Sequence, residues 1–197
     1  PEEFRAIRSV RRMEFRWALI ACVGVLVFGT LKGIVVAIIV SMINLASQTS
    51  QPNVYVIGRK RGADVLRPQS PEHPDDDTFE GLLILRPEGR LFFVNAQYVA
   101  EQVGSLVARY EPRVVALDMS RVPDLEYSAL QAIMEGEKRA SERGAVLWLV
   151  GLNPGVLAVV RSSGLAERLG RERLLFNTRA AIRRYQELQA ARGSASL

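Results

Sequence analysis

The fold of this 197-residue chain is decided by Val114-Val-Ala-Leu-Asp-Met-Ser-Arg-Val-Pro-Asp-Leu-Glu-Tyr-Ser-Ala-Leu130. The stretch opens with an apolar, β-branched run, which is typical of a strand buried on both faces of a sheet. Asp118 and Ser120 follow where that strand ends, and a loop then leads into a helical pattern over residues 127–143. Open α/β sheets place their functional sites at the carboxyl ends of their strands. This stretch is therefore the first candidate site.

Patterns of alternating strands and helices continue on both sides of it. Strands are predicted at 81–86, 91–94, 114–118, 145–150 and 174–176, the first two forming a hairpin. Helices are predicted at 96–110, 127–143, 155–163 and 179–191, with Asn95 and Thr178 as caps of the first and last. This order predicts an α/β domain over residues 79–191, with a mixed, largely parallel sheet and right-handed crossovers. Residues 192–197 read as a tail.

The amino terminus is basic and amphipathic over residues 1–16. Arg5, Arg8 and Arg12 recur at helical spacing, with Phe4 and Ile7 among them. The pattern is typical of a helix lying on a membrane surface, and an ordinary surface helix is the alternative.

Residues 17–47 form an apolar block that Gly-Thr-Leu-Lys-Gly interrupts at 29–33. Each half is shorter than the roughly 20 apolar residues that cross a bilayer as a helix, and a single span would bury Lys32 near the midplane. Basic residues precede the block at Arg16 and follow it at Arg59, and such flanks favour the cytoplasmic side. The block therefore predicts a membrane hairpin that enters and leaves on one side, with a buried soluble hairpin as the alternative. A turn at membrane depth needs cover from further membrane helices that this chain lacks.

A connector is predicted over residues 48–78. It contains one short strand pattern at 54–57 and, from 62 to 77, three prolines and an acidic run. Such a composition favours either an extended, poorly packed linker or a loop draped on the next domain.

Composition excludes several classes of function. One cysteine (Cys22) and one histidine (His73) leave little material for a metal site or for nucleophilic catalysis. No glycine-rich phosphate loop occurs, so no cofactor is predicted. Aromatic residues make up only 7%, which disfavours nucleic acid as a partner. The net charge of +5 reflects either a solvated surface or contact with anionic membrane lipid.

Asp124 and Glu126 are a pair of carboxylates that could serve acid–base catalysis. Both precede a predicted helix, however, and acids at a helix start are stabilised by its dipole. The dipole reading is favoured, and no catalytic residue and no enzymatic activity are predicted.

Residues 117–130 resemble the signature of the STAS domain, which sulfate transporters and anti-sigma factor antagonists share. Residues 25–34 and 52–59 resemble the end of the membrane domain of SulP anion transporters. Together the resemblances imply the carboxyl-terminal end of a secondary transporter of sulfate, bicarbonate or dicarboxylate, multi-pass in the cytoplasmic (inner) membrane. They imply a STAS domain in the cytoplasm that supports homodimerisation and regulation, with a cytoplasmic regulatory protein as a further partner. The anion site would lie in earlier membrane helices, so no substrate-contacting residue is named here.

The resemblance also defines a regulatory loop, formed by Asp118, Ser120, Asp124, Glu126 and Ser128. In antagonist proteins the position of Ser128 is phosphorylated, which makes Ser128 the candidate phosphoacceptor. Its neighbours Glu126, Tyr127 and Ala129 depart from the family's usual Asp, hydroxyl residue and Gly. The alternative function is therefore an antagonist-like regulatory module switched by phosphorylation at Ser128, and the alternative role of Ser128 is helix capping.

Overall fold

A computed structural model describes residues 30–195, and it describes the side chains of 31–43 and 51–192. The surface helix predicted for residues 1–16 and the first half of the membrane hairpin lie outside the described residues. The chain divides into two units, with the boundary between Ser50 and Gln51.

The described part of the first unit is a single helix, α1, Thr30–Ser50. The turn predicted at 29–33 is wrong for residues 30–33, because these residues, Lys32 among them, already belong to the helix. Its single interior glycine there, Gly33, costs a helix only about 1 kcal/mol. Within residues 30–195, no helix combines the length and the apolar character that a membrane crossing requires.

The second unit is built on one six-stranded sheet in the order β2-β1-β3-β4-β5-β6. The strands are β1 Val54–Arg59, β2 Leu66–Pro68, β3 Leu82–Pro87, β4 Val114–Asp118, β5 Val146–Val150 and β6 Leu174–Leu175. Strands β3 to β6 are parallel, whereas β1 pairs antiparallel with both β2 and β3. The α/β fold with a mixed, largely parallel sheet is thereby confirmed.

Helices cover both faces of this sheet. They are α2 Ala96–Tyr110, α3 Tyr127–Glu142, α4 Pro154–Ser162, α5 Leu165–Leu169 and α6 Thr178–Ala195, with a 3-10 turn at Arg171–Arg173. Alternate residues of the central strands point to opposite faces, so Leu83 and Leu85 pack under α2 to α5, while Leu82 and Ile84 pack with α6. Within residues 192–197, predicted as a tail, 192–195 continue α6.

The hairpin predicted from 81–86 and 91–94 is wrong. Leu91 forms a single parallel bridge with Leu125, and the residues that follow turn directly into α2. Phe93 is 72% exposed, so the apolar run that suggested a strand is not buried in a sheet. The antiparallel neighbour of β3 is instead β1, from the predicted connector.

The predicted connector is not a poorly packed linker, because it supplies two strands of the sheet. The stretch after β1 folds back on it: the Arg67 guanidinium donates two hydrogen bonds of 2.8 Å to Asp76. Asp77 exchanges backbone hydrogen bonds of 3.0 and 2.7 Å with Arg59. The compact unit accordingly begins at Gln51.

Candidate functional site

Asp118 is the centre of a polar cluster at the carboxyl edge of the sheet. It is the last residue of β4 and is 1% exposed. Its Oδ2 accepts hydrogen bonds from Arg86 Nε and Nη2, at 2.9 and 2.7 Å, and from the Thr178 hydroxyl at 2.7 Å. Its Oδ1 accepts from the backbone N–H of Ser120 at 3.0 Å. One carboxylate therefore joins the end of β3, the loop after β4 and the start of α6.

The environment keeps this carboxylate ionised. Burial acts to raise the pKa of Asp118, but hydrogen bonds from Ser120, Thr178 and Arg86 outweigh it and lower the pKa below its usual range. An acid held in the charged form by several donors is a structural anchor and not a proton donor near neutral pH.

Gly151, just after β5, closes one side of the cluster. Its φ is +67°, and a Cβ there would lie 3.2 Å from both Asp118 Oδ1 and Ser120 Cβ. Only a residue without a side chain fits a left-handed backbone so close to the carboxylate.

A second polar group, centred on Arg90, lies on the loops that follow β3 and β4. Arg90 contacts Asp124 at 2.9 Å and Glu126 at 3.0 Å. The loops are also joined by backbone hydrogen bonds from Leu91 N–H to the Asp124 carbonyl and from Glu126 N–H to the Leu91 carbonyl. Asp124 and Glu126, which were predicted to be stabilised by the dipole of the next helix, are therefore also the ion-pair partners of Arg90. Because these pairs are exposed, we expect each to contribute less than about 1 kcal/mol.

Ser128 is the second residue of α3 and is half-buried. Its hydroxyl makes no hydrogen bond with any residue that the structure describes. The N-cap of the helix is Glu126, whose side chain accepts no capping hydrogen bond either. The predicted capping role of Ser128 is therefore not seen.

The loop that carries these residues is held by Asn153. Its amide donates to the carbonyls of Val122 and Pro123, at 2.9 and 3.2 Å, while its Oδ1 accepts from Val156 N–H and caps α4. The five residues of the predicted loop thus fall into two bonded groups, Asp118 with Ser120 and Asp124 with Glu126, while Ser128 is bonded to neither.

The residues of this site that the sequence analysis did not identify include Arg86, Arg90 and Thr178. Arg86 had a readable signal, because the ends of adjacent parallel strands meet at one edge and a basic residue there can pair with Asp118. Thr178 was predicted to cap α6, but its hydroxyl donates to Asp118. The cap is Asn177, whose Oδ1 accepts from Ala180 N–H at 2.9 Å.

Replacing Thr178 by valine is expected to lower the free energy of unfolding by about 1.5–3 kcal/mol, since the hydrogen bond it loses is to a charged acceptor. The variant keeps the shape of the side chain, so packing is little changed. Urea unfolding followed by tryptophan fluorescence measures the effect. Thr178→Ser keeps the hydroxyl and is the matched control. A valine variant as stable as the wild type would show that this hydrogen bond contributes nothing net.

Chemically, the edge offers an ordered set of paired charges and no reactive centre. In the part of the chain that the structure describes, no three His, Cys, Asp or Glu side chains are grouped so as to hold a metal ion. Arg121 and Tyr127 are exposed beside the paired residues.

The fold and this edge define a class of protein: the chain belongs to the STAS domain family, which matches residues 73–182. Its relatives include the high affinity sulfate transporter 2 of Stylosanthes hamata, 25% identical over 93% of this chain, and the sulfate transporter 3.2 of Arabidopsis thaliana, 28% identical over 87%. The chain spans only 30% and 28% of the lengths of those two relatives. The predicted resemblance to the carboxyl-terminal end of sulfate transporters is confirmed.

Solved structures agree with the fold. The murine Solute Carrier 26 family member A9 anion transporter, in its inward-facing state, matches 88% of this chain and 28% of its own, with a TM-score of 0.72 and 16% identity. A sulfate transporter family protein from Wolinella succinogenes matches 62% of this chain and 99% of its own, with a TM-score of 0.51 and 25% identity. The Wolinella succinogenes chain consists almost entirely of the matched part, so a domain of this kind folds by itself.

Proposed function

We propose that this chain is the carboxyl-terminal part of a SulP-type secondary transporter of inorganic or small organic anions, with sulfate, bicarbonate and dicarboxylate as the candidate substrates. One observation carries the proposal: similarity to a sulfate transporter covers 93% of the chain, whereas the STAS family covers residues 73–182 alone. A free-standing STAS regulator would not account for similarity in the residues before the domain.

The exposed surface of α1 supports a membrane location for the preceding segment. Large apolar side chains that are at least half exposed recur along the helix at Leu31, Ile34, Val35, Ile38, Ile39, Met42 and Ile43. Soluble monomers rarely expose contiguous apolar patches of this kind. In the proposed transporter, residues 17–47 form the hairpin in the cytoplasmic membrane, where lipid and the earlier membrane helices cover these side chains. Basic flanks keep the STAS domain in the cytoplasm.

In the proposed transporter the STAS domain has a regulatory rather than a catalytic role. The bonded groups around Asp118 and Arg90 join the loop after β4 to neighbouring elements, and exposed Tyr127 lies at its end. A cytoplasmic protein or the second subunit would meet this loop. We expect the full-length protein to be a homodimer in detergent, which light scattering with mass analysis measures. A purely monomeric mass would contradict that part of the proposal.

The test of the transport proposal is uptake of labelled anions by the full-length protein in proteoliposomes. Sulfate, bicarbonate and a four-carbon dicarboxylate are compared side by side, with protein-free vesicles as the control. We expect saturable uptake of at least one of the three, inhibited by an excess of the same unlabelled anion. Uptake equal to that of the control for every anion would refute the proposal.

The second candidate function is a module switched by phosphorylation at Ser128. The free hydroxyl at a helix start favours it, since a helix N-terminus accommodates a phosphate. The carboxylates of Asp124 and Glu126 nearby oppose a further negative charge. Intact-mass measurement of protein purified from its native host would decide: a phosphate that is lost in Ser128→Ala supports the switch, and an unmodified mass contradicts it.

A further inference from the structure

A cleft opens between α2 and α3, above the middle of the sheet. It has a volume of about 420 Å³. The two helices face it with small residues four positions apart, which are Ala100, Gly104 and Ala108 on α2 and Ala132, Gly136 and Ala140 on α3. The missing side-chain volume at these positions creates the space.

The cleft reaches the core of the domain. Val115 and Leu117 of β4 and Leu147 of β5, which are all buried, form its floor. A Cβ added at Gly104 or at Gly136 would meet no atom within 4 Å. Protein interiors are packed about as densely as crystals of small organic molecules. An open apolar cleft between two helices is therefore a departure from ordinary packing.

The charged side chains that line the cleft are basic at one end and acidic nearer the other. Both helices connect parallel strands, so they run in the same direction and their carboxyl ends lie together. Arg139 and Arg143 line the cleft at the carboxyl end of α3, while Glu101 lines it nearer the amino end of α2, bonded at 2.8 Å to Gln97.

The two arginines have little to hold them within the described chain. Arg139 has one weak contact, 3.9 Å to Glu135, and the Arg143 guanidinium has no bonded partner among the described residues. One end of the apolar cleft therefore carries two arginine guanidinium groups that are available to bind an anion.

We propose that this cleft binds a single-chain amphipathic anion of the fatty-acid type, with the chain between α2 and α3 and the carboxylate on Arg139 and Arg143. The volume lies in the range of about 300–1,000 Å³ that is usual for small-molecule sites, and the lining is apolar with few polar groups, as in such sites. The arginine fork suits a planar carboxylate. This binding is independent of anion transport, because it needs only the second unit of the chain.

Titration calorimetry with dodecanoate, below its micelle concentration, tests the proposal on residues 51–197. That unit has its own sheet and core, and the Wolinella succinogenes relative is a solved domain of the same kind. We expect saturable binding of one dodecanoate per domain. Dodecanol, which lacks the charge, and dodecyltrimethylammonium, which reverses it, should each bind at least about tenfold more weakly.

Filling the cleft should abolish binding without unfolding the domain. Gly136→Leu and Gly104→Leu place a side chain in open space and replace a poor helix former by a good one, so their stability should be unchanged or higher. Each is expected to weaken dodecanoate binding by at least about tenfold. Gln102→Leu adds the same side chain to an exposed position of α2 that does not line the cleft, and should bind as the wild type does.

The arginines are tested by Arg139→Gln combined with Arg143→Gln. This variant should lose about tenfold in dodecanoate affinity while its weak affinity for dodecanol stays unchanged. The proposal is overturned if the wild type shows no saturable binding, or if the folded leucine variants bind dodecanoate as tightly as it does. Equal affinity for dodecanoate and dodecyltrimethylammonium would overturn the role of the arginines. Gly136→Ala, which adds one methyl group, replaces either leucine variant that fails to fold.

Discussion

Replacing Asp118 by alanine is expected to lower the free energy of unfolding by about 3–5 kcal/mol. The Arg86 guanidinium, whose side chain is 14% exposed, would keep its charge and lose its partner. The Thr178 hydroxyl and the Ser120 N–H would lose their acceptor in the same step. An uncompensated buried charge is costlier than the net value of the pair that it formed.

Urea unfolding of residues 51–197 measures this, with Trp148 as the single tryptophan of that stretch and a buried reporter on β5. Asp118→Asn is the control, since it keeps acceptor oxygen and shape and should cost less than alanine. Combining Arg86→Met with Asp118→Ala removes both charges and should recover part of the loss. If Asp118→Ala cost less than about 1 kcal/mol, which is the value of an exposed pair, the cluster would not be the anchor described here.

The same carboxylate makes stability depend on pH in a defined direction. Because the pKa of Asp118 is lower in the folded protein, its ionised form contributes stability above the unfolded pKa of about 3.9. That contribution is lost as the pH falls through the lowered folded value. The difference in unfolding free energy between the wild type and Asp118→Asn should therefore be constant near neutrality and shrink below about pH 4. A difference that grew on acidification would contradict the assignment.

Gly81→Ala is expected to cost about 2–4 kcal/mol, from backbone strain and overpacking together. Gly81 has a φ of +77°, and a Cβ there would overlap the Tyr185 hydroxyl oxygen. That hydroxyl donates to the Glu80 carbonyl at 2.7 Å, which fixes α6 to the start of β3. The new methyl group would force Tyr185 off this position. Thermal unfolding of residues 51–197 measures the loss.

Gly89→Ala is the matched control for this change. Gly89 also has a positive φ, of 97°, but an added Cβ would meet no atom within 4 Å. It should cost only the strain, about 1 kcal/mol. If the two variants were equally stable, the contact with Tyr185 would have no part in positioning α6.

The central strands were predictable because their signal is local. The run from Val114 to Asp118 is apolar at every position and ends in a polar loop, and the structure places β4 at these same residues. The helices at 96–110 and 127–142 follow equally from their spacing of apolar residues.

The partners of Asp118 could not be predicted in the same way. Arg86 is 32 residues away in sequence and Thr178 is 60, and both contacts depend on which strands become neighbours. The pairing of β1 with β3 was missed for the same reason. Residues 91–94 look more like a strand than the connector does, but the antiparallel position beside β3 is occupied by β1.

The sequence predicted the position of the site but not the contacts within it. The end of β4 was found because buried strands that end in Asp and Ser mark the functional edge of α/β sheets. Asp118 is a structural anchor and not a reactive group, because its carboxylate is hydrogen-bonded to Arg86, Thr178 and Ser120. The pairing of Asp124 and Glu126 on Arg90 is likewise a contact between loops, which spacing alone does not indicate.

If this chain is the carboxyl-terminal part of an anion transporter, the full-length protein should move anions across a bilayer, and initial-rate uptake measures this. Labelled sulfate is presented to proteoliposomes at rising concentrations, with protein-free vesicles prepared in parallel, and bicarbonate and a dicarboxylate follow in the same series. We expect a rate that saturates for at least one of these anions and that is suppressed by the same unlabelled anion. Rates that match those of protein-free vesicles for all three, from protein shown to be folded and inserted, would contradict it.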